Sequence, residues 1–130
     1  VNDMAVRSDD DVLEVSGVNC VVLRGAVSND PDVRELSSGK VVTTFNLSTT
    51  TGAGTWSVPV SFEGMLANTI IAGSDVVVVG AVRRRFFRTG GTVQSRTEVS
   101  ASKIVASRKR ATARRVVDTM FDDVLALLDI

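Results

Sequence analysis

What most constrains this chain is a succession of β-branched runs cut by turn residues. Val18 to Val27 (VNCVVLRGAV) is one such run, and Asn29-Asp30-Pro31 ends it, because proline fixes φ and restricts the residue before it. Ser37-Ser38-Gly39 makes a second turn. From Val41 to Thr50, Val41, Thr43, Phe45, Leu47 and Thr49 then alternate with Val42, Thr44, Asn46, Ser48 and Thr50, so one face is the more apolar. After a short loop at Thr51 to Thr55, Trp56, Val58, Val60 and Phe62 alternate with Ser57, Pro59 and Ser61. Pro59 belongs at an edge or a bulge, since it cannot donate to a ladder. Gly64 to Ala72 has room for two turns of helix, with Gly73 placed to cap it. Val76 to Phe87 and Val93 to Ala106 form a fourth and a fifth strand about a Gly90-Gly91 hairpin. Five strands of this spacing in 130 residues predict an all-β closed barrel or sandwich.

The remainder falls on either side of that unit. Residues 1–16 carry Asp3, Asp9, Asp10, Asp11 and Glu14 against Arg7 alone and read as a solvated acidic arm; residues 17–107 are the barrel. Residues 108–130 read as a helix, because Ala113, Val116, Val117, Met120, Phe121, Val124, Leu127 and Leu128 recur at spacings of three and four. Its charges oppose the macrodipole: Arg108, Lys109, Arg110, Arg114 and Arg115 come first, and Asp118, Asp122, Asp123 and Asp129 follow. Stability has to come from outside the helix, either from an antiparallel copy or from the barrel of the same chain.

Composition excludes most chemistry. The chain has no histidine, no tyrosine and one cysteine, which removes imidazole acid/base catalysis, His/Cys metal clusters and an intrachain disulfide. The expectation is a non-catalytic protein with no cofactor, no metal and no small-molecule substrate. Cys20 reads as a small apolar filler of the first strand. The acidic start lacks the apolar core of a signal peptide, and the apolar run Val76 to Val79 is far short of the ~20 residues that span a bilayer. A cytoplasmic, nucleoid-associated location without a membrane partner is expected.

The formal net charge of zero hides a segregation. Residues 83–115 hold eleven bases against Glu98 alone. Such a block is a candidate footprint for a polyanion, because neutralising phosphates releases condensed counterions. Within it, RRRFFRTGG puts Arg83, Arg85 and Phe87 on one face of a strand and Arg84, Phe86 and Arg88 on the other. Guanidiniums that track phosphates and a ring that stacks an unpaired base suit a single strand, with Arg88 and Arg96 adding to the contacts. The plainer reading is a core phenylalanine beside solvated arginines, and it accounts for one ring of the pair.

The segments VNCVVLRGAV, NDPDVRELSSGK, VTTFNLST, EGMLA, AGSDVVVVGAVRRRFF and TEVSASKIV, in this order and spacing, resemble the OB-fold domain of bacterial single-stranded-DNA-binding proteins from about Gly17 to Ser107. The resemblance implies a five-stranded Greek-key barrel with one short helix between strands three and four, to which the amphipathic C-terminal helix is an addition. It implies a homo-oligomer, usually a tetramer, that holds single-stranded DNA in replication, recombination or repair and meets proteins of those processes. Arg83, Arg85 and Phe87 would be strand-four DNA contacts, and Arg34 a basic residue near the first loop.

The chain departs from that pattern in four places. The loop before strand three is short and lacks the usual aromatic. The helix after Gly64 is shorter by about a turn. The third strand has two possible registers: a bulge at Pro59 would turn Trp56 outward as a base-stacking residue with Phe62 in the core, whereas the ungapped register leaves Ser57, Pro59, Ser61 and Glu63 on the outer face. The first is the expectation. Finally, DDVLALLDI stands where the family carries a disordered tail with an acidic tip, so the chain is expected to be a short paralogue without tip-mediated recruitment. An assembly or protein-interaction module with weak nucleic-acid binding is the alternative.

Overall fold

The structure is a computed structural model that describes residues 17–128; the acidic arm of residues 1–16 lies outside them. Six strands run in chain order, β1 (Val21–Val27), β2 (Asp32–Glu35), β3 (Val41–Thr51), β4 (Gly54–Glu63), β5 (Asp75–Thr89) and β6 (Thr92–Ala106), and helix α1 (Arg110–Leu128) follows. The sheet order is β1-β5-β6-β4-β3-β2, and a further pairing of β1 with β3 closes it. Closure covers the edges that β1 and β3 would otherwise leave open, as expected of the OB-fold.

The expected five strands are all present. The sixth, β2, is a four-residue addition along β3 with every side chain exposed. Closure depends on two glycines: a Cβ on Gly25 would collide with the Ser48 carbonyl, and one on Gly80 with the Ser100 carbonyl. Beside Gly80 the β5–β6 register shifts, leaving Ser102 as the extra residue, and its hydroxyl donates to the Val79 carbonyl at 3.1 Å. The core gathers Val27, Phe45, Leu47, Val60, Ile70, Val76, Val78 and Val99 inside the barrel. Each such side chain contributes roughly 1.5–3 kcal/mol of transfer free energy.

Three local expectations change. The short helix between β4 and β5 is reduced to turns, closed by Ile70 N–H to the Ala67 carbonyl and Ser74 N–H to the Ile71 carbonyl, while Gly73 N–H ties the segment to Val27. Pro59 brings no bulge: β3 and β4 pair without interruption from Val42↔Glu63 to Thr51↔Gly54, with Asn46 opposite Pro59. Asn46 donates to Asn29 Oδ1 and accepts from Ser28 N–H, both away from β4. The position opposite it therefore needs no donor, and on its other side β4 pairs with β6 only from Val60 onward. Cys20 is exposed and precedes β1, so it fills no core. In its neighbourhood the Asn19 side chain exchanges hydrogen bonds with Val82 N–H and C=O at 2.9 and 2.8 Å.

Beyond Val82, β5 and the start of β6 continue as a two-stranded arm whose side chains are exposed as far as Thr97. Helix α1 packs on β5 and β6, with Ala113 its one buried residue among those described. It is not long and apolar enough to cross a membrane.

Candidate nucleic-acid interface

On the arm, alternation sends Arg83, Arg85 and Phe87 to one face and Arg84, Phe86 and Arg88 to the other. The antiparallel register sets Arg85 opposite Arg96 and Arg83 opposite Glu98. Two like charges directly opposite one another destabilise a strand pair, so the facing of Arg85 and Arg96 adds no stability by itself.

Across the barrel wall stand Arg34 from β2, Val42 and Thr44 from β3, and Ser61 and Glu63 from β4. Together with Arg83, Arg85, Phe87 and Arg96 they line an open groove of about 600 Å³. Five residues expected at the site, Arg34, Arg83, Arg85, Phe87 and Arg96, thus meet in one place. Phe87 retains about a third of its surface, whereas Phe86 on the opposite face is 65% exposed, so neither ring is in the core.

Arg88 and Trp56 are elsewhere. Arg88 pairs with Val93 on the face away from the groove. Trp56 keeps the ungapped register and shares the parity of Val58 and Val60, not of Ser61 and Glu63. The bulge that would have turned it to the outer wall is absent. Its strand runs past the barrel rim, which leaves the ring 52% exposed and lying over Gly54. Phe62, expected in the core, is half-buried against Gly64.

One residue that sequence reasoning passed over organises the groove. Glu98 is 1% exposed and accepts from Arg83 Nη2 at 2.5 Å, while Arg96 Nη2 lies 3.9 Å from its other oxygen. That second oxygen, Oε1, is buried and has no hydrogen-bond partner among the described residues. The carboxylate lies beneath the guanidiniums: Arg83 and Arg96 keep about half of their side-chain surface open. A buried carboxylate is tolerable only when paired, so Arg83 is held in place. The other acids are at the margin. Lys40 neutralises Glu63 at 3.2 Å, and Asp32 stands 3.7 Å from Arg34, all of them exposed. Counting pairs back from the Gly90-Gly91 turn puts position 98 opposite position 83, a signal that was available in the sequence.

Within the described residues no group of three His, Cys, Asp or Glu side chains is placed to hold a metal ion. Arginines from three strands and an aromatic ring thus stand together on the outer wall of a closed barrel, an arrangement whose charge suits an anionic polymer. Residues 18–107 match the single-strand binding protein family, and the chain belongs to that family, whose members bind single-stranded DNA and are not enzymes. No curated protein matches the chain.

Proposed function

We propose that the groove holds single-stranded DNA with little regard to sequence, in replication, recombination or repair, with Phe87 stacking a base and Arg34, Arg85 and Arg96 contacting phosphates. The observation that carries this reading is the convergence of four arginines and Phe87 on one groove, with Arg85 facing Arg96 directly. Arg83 contributes through a guanidinium half-exposed above Glu98. Trp56 and Arg88 serve as outer contacts where a longer strand leaves the groove, since both are exposed near the rim and the arm. The protein works as a homo-oligomer, a tetramer by likeness to its family, in the cytoplasm with the nucleoid.

A second reading has its own support. Glu98 offsets part of the groove's charge, and Phe121, Leu125, Leu127 and Leu128 are exposed on α1, which suits an assembly module with weakened DNA binding. Titration of labelled oligo-dT separates the two. Strand binding predicts preference for the oligonucleotide over duplex and a log K that falls with log salt by about 0.7 per neutralised phosphate. Equal or tighter duplex binding, or no salt dependence, would overturn it in favour of the assembly module.

A further inference from the structure

The edge of the hairpin arm on the β1 side has no strand along it. β1 pairs with β5 from Val21↔Gly80 to Ala26↔Asp75 and stops there. One step further, Val82 turns its N–H and C=O to the β1 side, and the Asn19 side chain takes both. Strand alternation sends the N–H and C=O of Arg84, Phe86 and Arg88 the same way, where no strand among the described residues meets them. The surface beside this edge is apolar as well as basic. Val82, Phe86 and Val93 share one face of the hairpin and are 48–65% exposed. The arm carries Arg83, Arg84, Arg85, Arg88 and Arg96 against Glu98 alone, and Glu98 is buried. A long edge with exposed apolar side chains is a template for one more strand.

The chain that leads into β1 has the composition to fill it. Residues 9–16 read Asp-Asp-Asp-Val-Leu-Glu-Val-Ser, acidic and β-branched, with Leu13 and Val15 flanking Glu14 at strand spacing. Asn19, bonded to Val82, brings the chain to this edge just after that segment. Carried backward from Val21↔Gly80, the β1–β5 register sets Gly17 opposite Arg84, Val15 opposite Phe86 and Leu13 opposite Arg88. Leu13 and Val15 then fall on the face of Phe86. Glu14 falls on the other face, diagonal to Arg85, and Asp11 falls diagonal to Arg88.

We propose that residues 12–17 continue β1 as an edge strand along the β5 side of the arm, covering Phe86 with Val15 and Leu13. Entry point, register, apolar pattern and charge all agree on this occupant, and its tether makes the contact intramolecular. The covered side chains lie on the face away from the groove, so the proposal does not rest on the DNA reading.

Amide hydrogen exchange of the full chain without DNA, read by NMR and corrected for intrinsic rates, tests it. The N–H groups of Arg84 and Phe86 should exchange roughly ten-fold or more slowly than that of Ser95, which faces the other edge of the hairpin before β4 joins β6. Nuclear Overhauser contacts should join the Val15 methyls to the Phe86 ring. Val15→Pro precedes the barrel and removes the N–H placed to donate to Phe86, so it should return both amides to the rate of Ser95. Parent rates for Arg84 and Phe86 no slower than that of Ser95 would overturn the proposal. Protection that survives Val15→Pro would overturn it too, because something else would then cover the edge. So would Val15–Phe86 contacts that arise between labelled and unlabelled chains in a mixed sample, since they would give the edge to a second copy.

Discussion

The two faces of the β5–β6 arm carry nearly the same side chains and differ in what stands behind them. Arg83, Arg85 and Phe87 look into a groove walled by β2, β3 and β4, and Glu98 fixes the first of them from below. Arg84, Phe86 and Arg88, one residue out of step on the same strand, share no such wall, and Phe86 is 65% exposed. Composition cannot distinguish the two sets. A site therefore arises from backing: the barrel converges charges from several strands, and a buried carboxylate limits where one of them can go.

The largest expected break in that comparison is in stability. Arg83→Ala strips Glu98 of its close partner and should cost about 3 kcal/mol in urea unfolding, the lower end for an orphaned buried charge, because Arg96 stands 3.9 Å from the other oxygen. Arg84→Ala should stay within about 0.5 kcal/mol. If both cost the same, Glu98 is not held by Arg83 as described. Next comes salt dependence of oligo-dT binding. Arg85→Ala should reduce the log–log slope by about 0.7, one phosphate's worth, and Arg88→Ala by clearly less; equal reductions would erase the distinction between the faces.

The smallest effect lies outside the arm. The neighbouring Ser107 hydroxyl, then the Arg24 guanidinium 2.9 Å away, hold the Asp75 carboxyl below its ordinary range. A lowered native pKa means that the folded state binds its proton less readily than the unfolded state does. Its stabilisation is therefore full above the unfolded value of about 3.9 and is lost as pH falls through the native one. Asp75→Asn should remove a small part of the acid dependence below about pH 4 and leave strand binding unchanged; an unaltered acid limb in pH-dependent unfolding would refute this.

The strands were legible because their alternation is a local property. Phe45 and Leu47 are buried, and Gly90-Gly91 turns the arm, as their positions in the sequence require. Strand β2 was not legible, since Asp32–Glu35 exposes all four side chains and shows no alternation of burial. The register of β4 was undecidable locally. A proline admits a bulge or an edge position, and the bonds that Asn46 makes to Ser28 and Asn29 select the second. Of the site, alternation placed Arg83, Arg85 and Phe87 together. Their meeting with Arg34 depends on barrel closure, which no window of sequence contains. Glu98 could have been found by counting from the hairpin, but its burial could not, because that follows from the walls around it.

The most direct test is the affinity of two single variants for a labelled oligo-dT at fixed salt. Phe87→Ala should weaken binding by roughly 1–3 kcal/mol, the range for loss of one base–ring stack, and Phe86→Ala by much less. Equal losses, or a larger loss from Phe86→Ala, would contradict the assignment of the strand to the walled face.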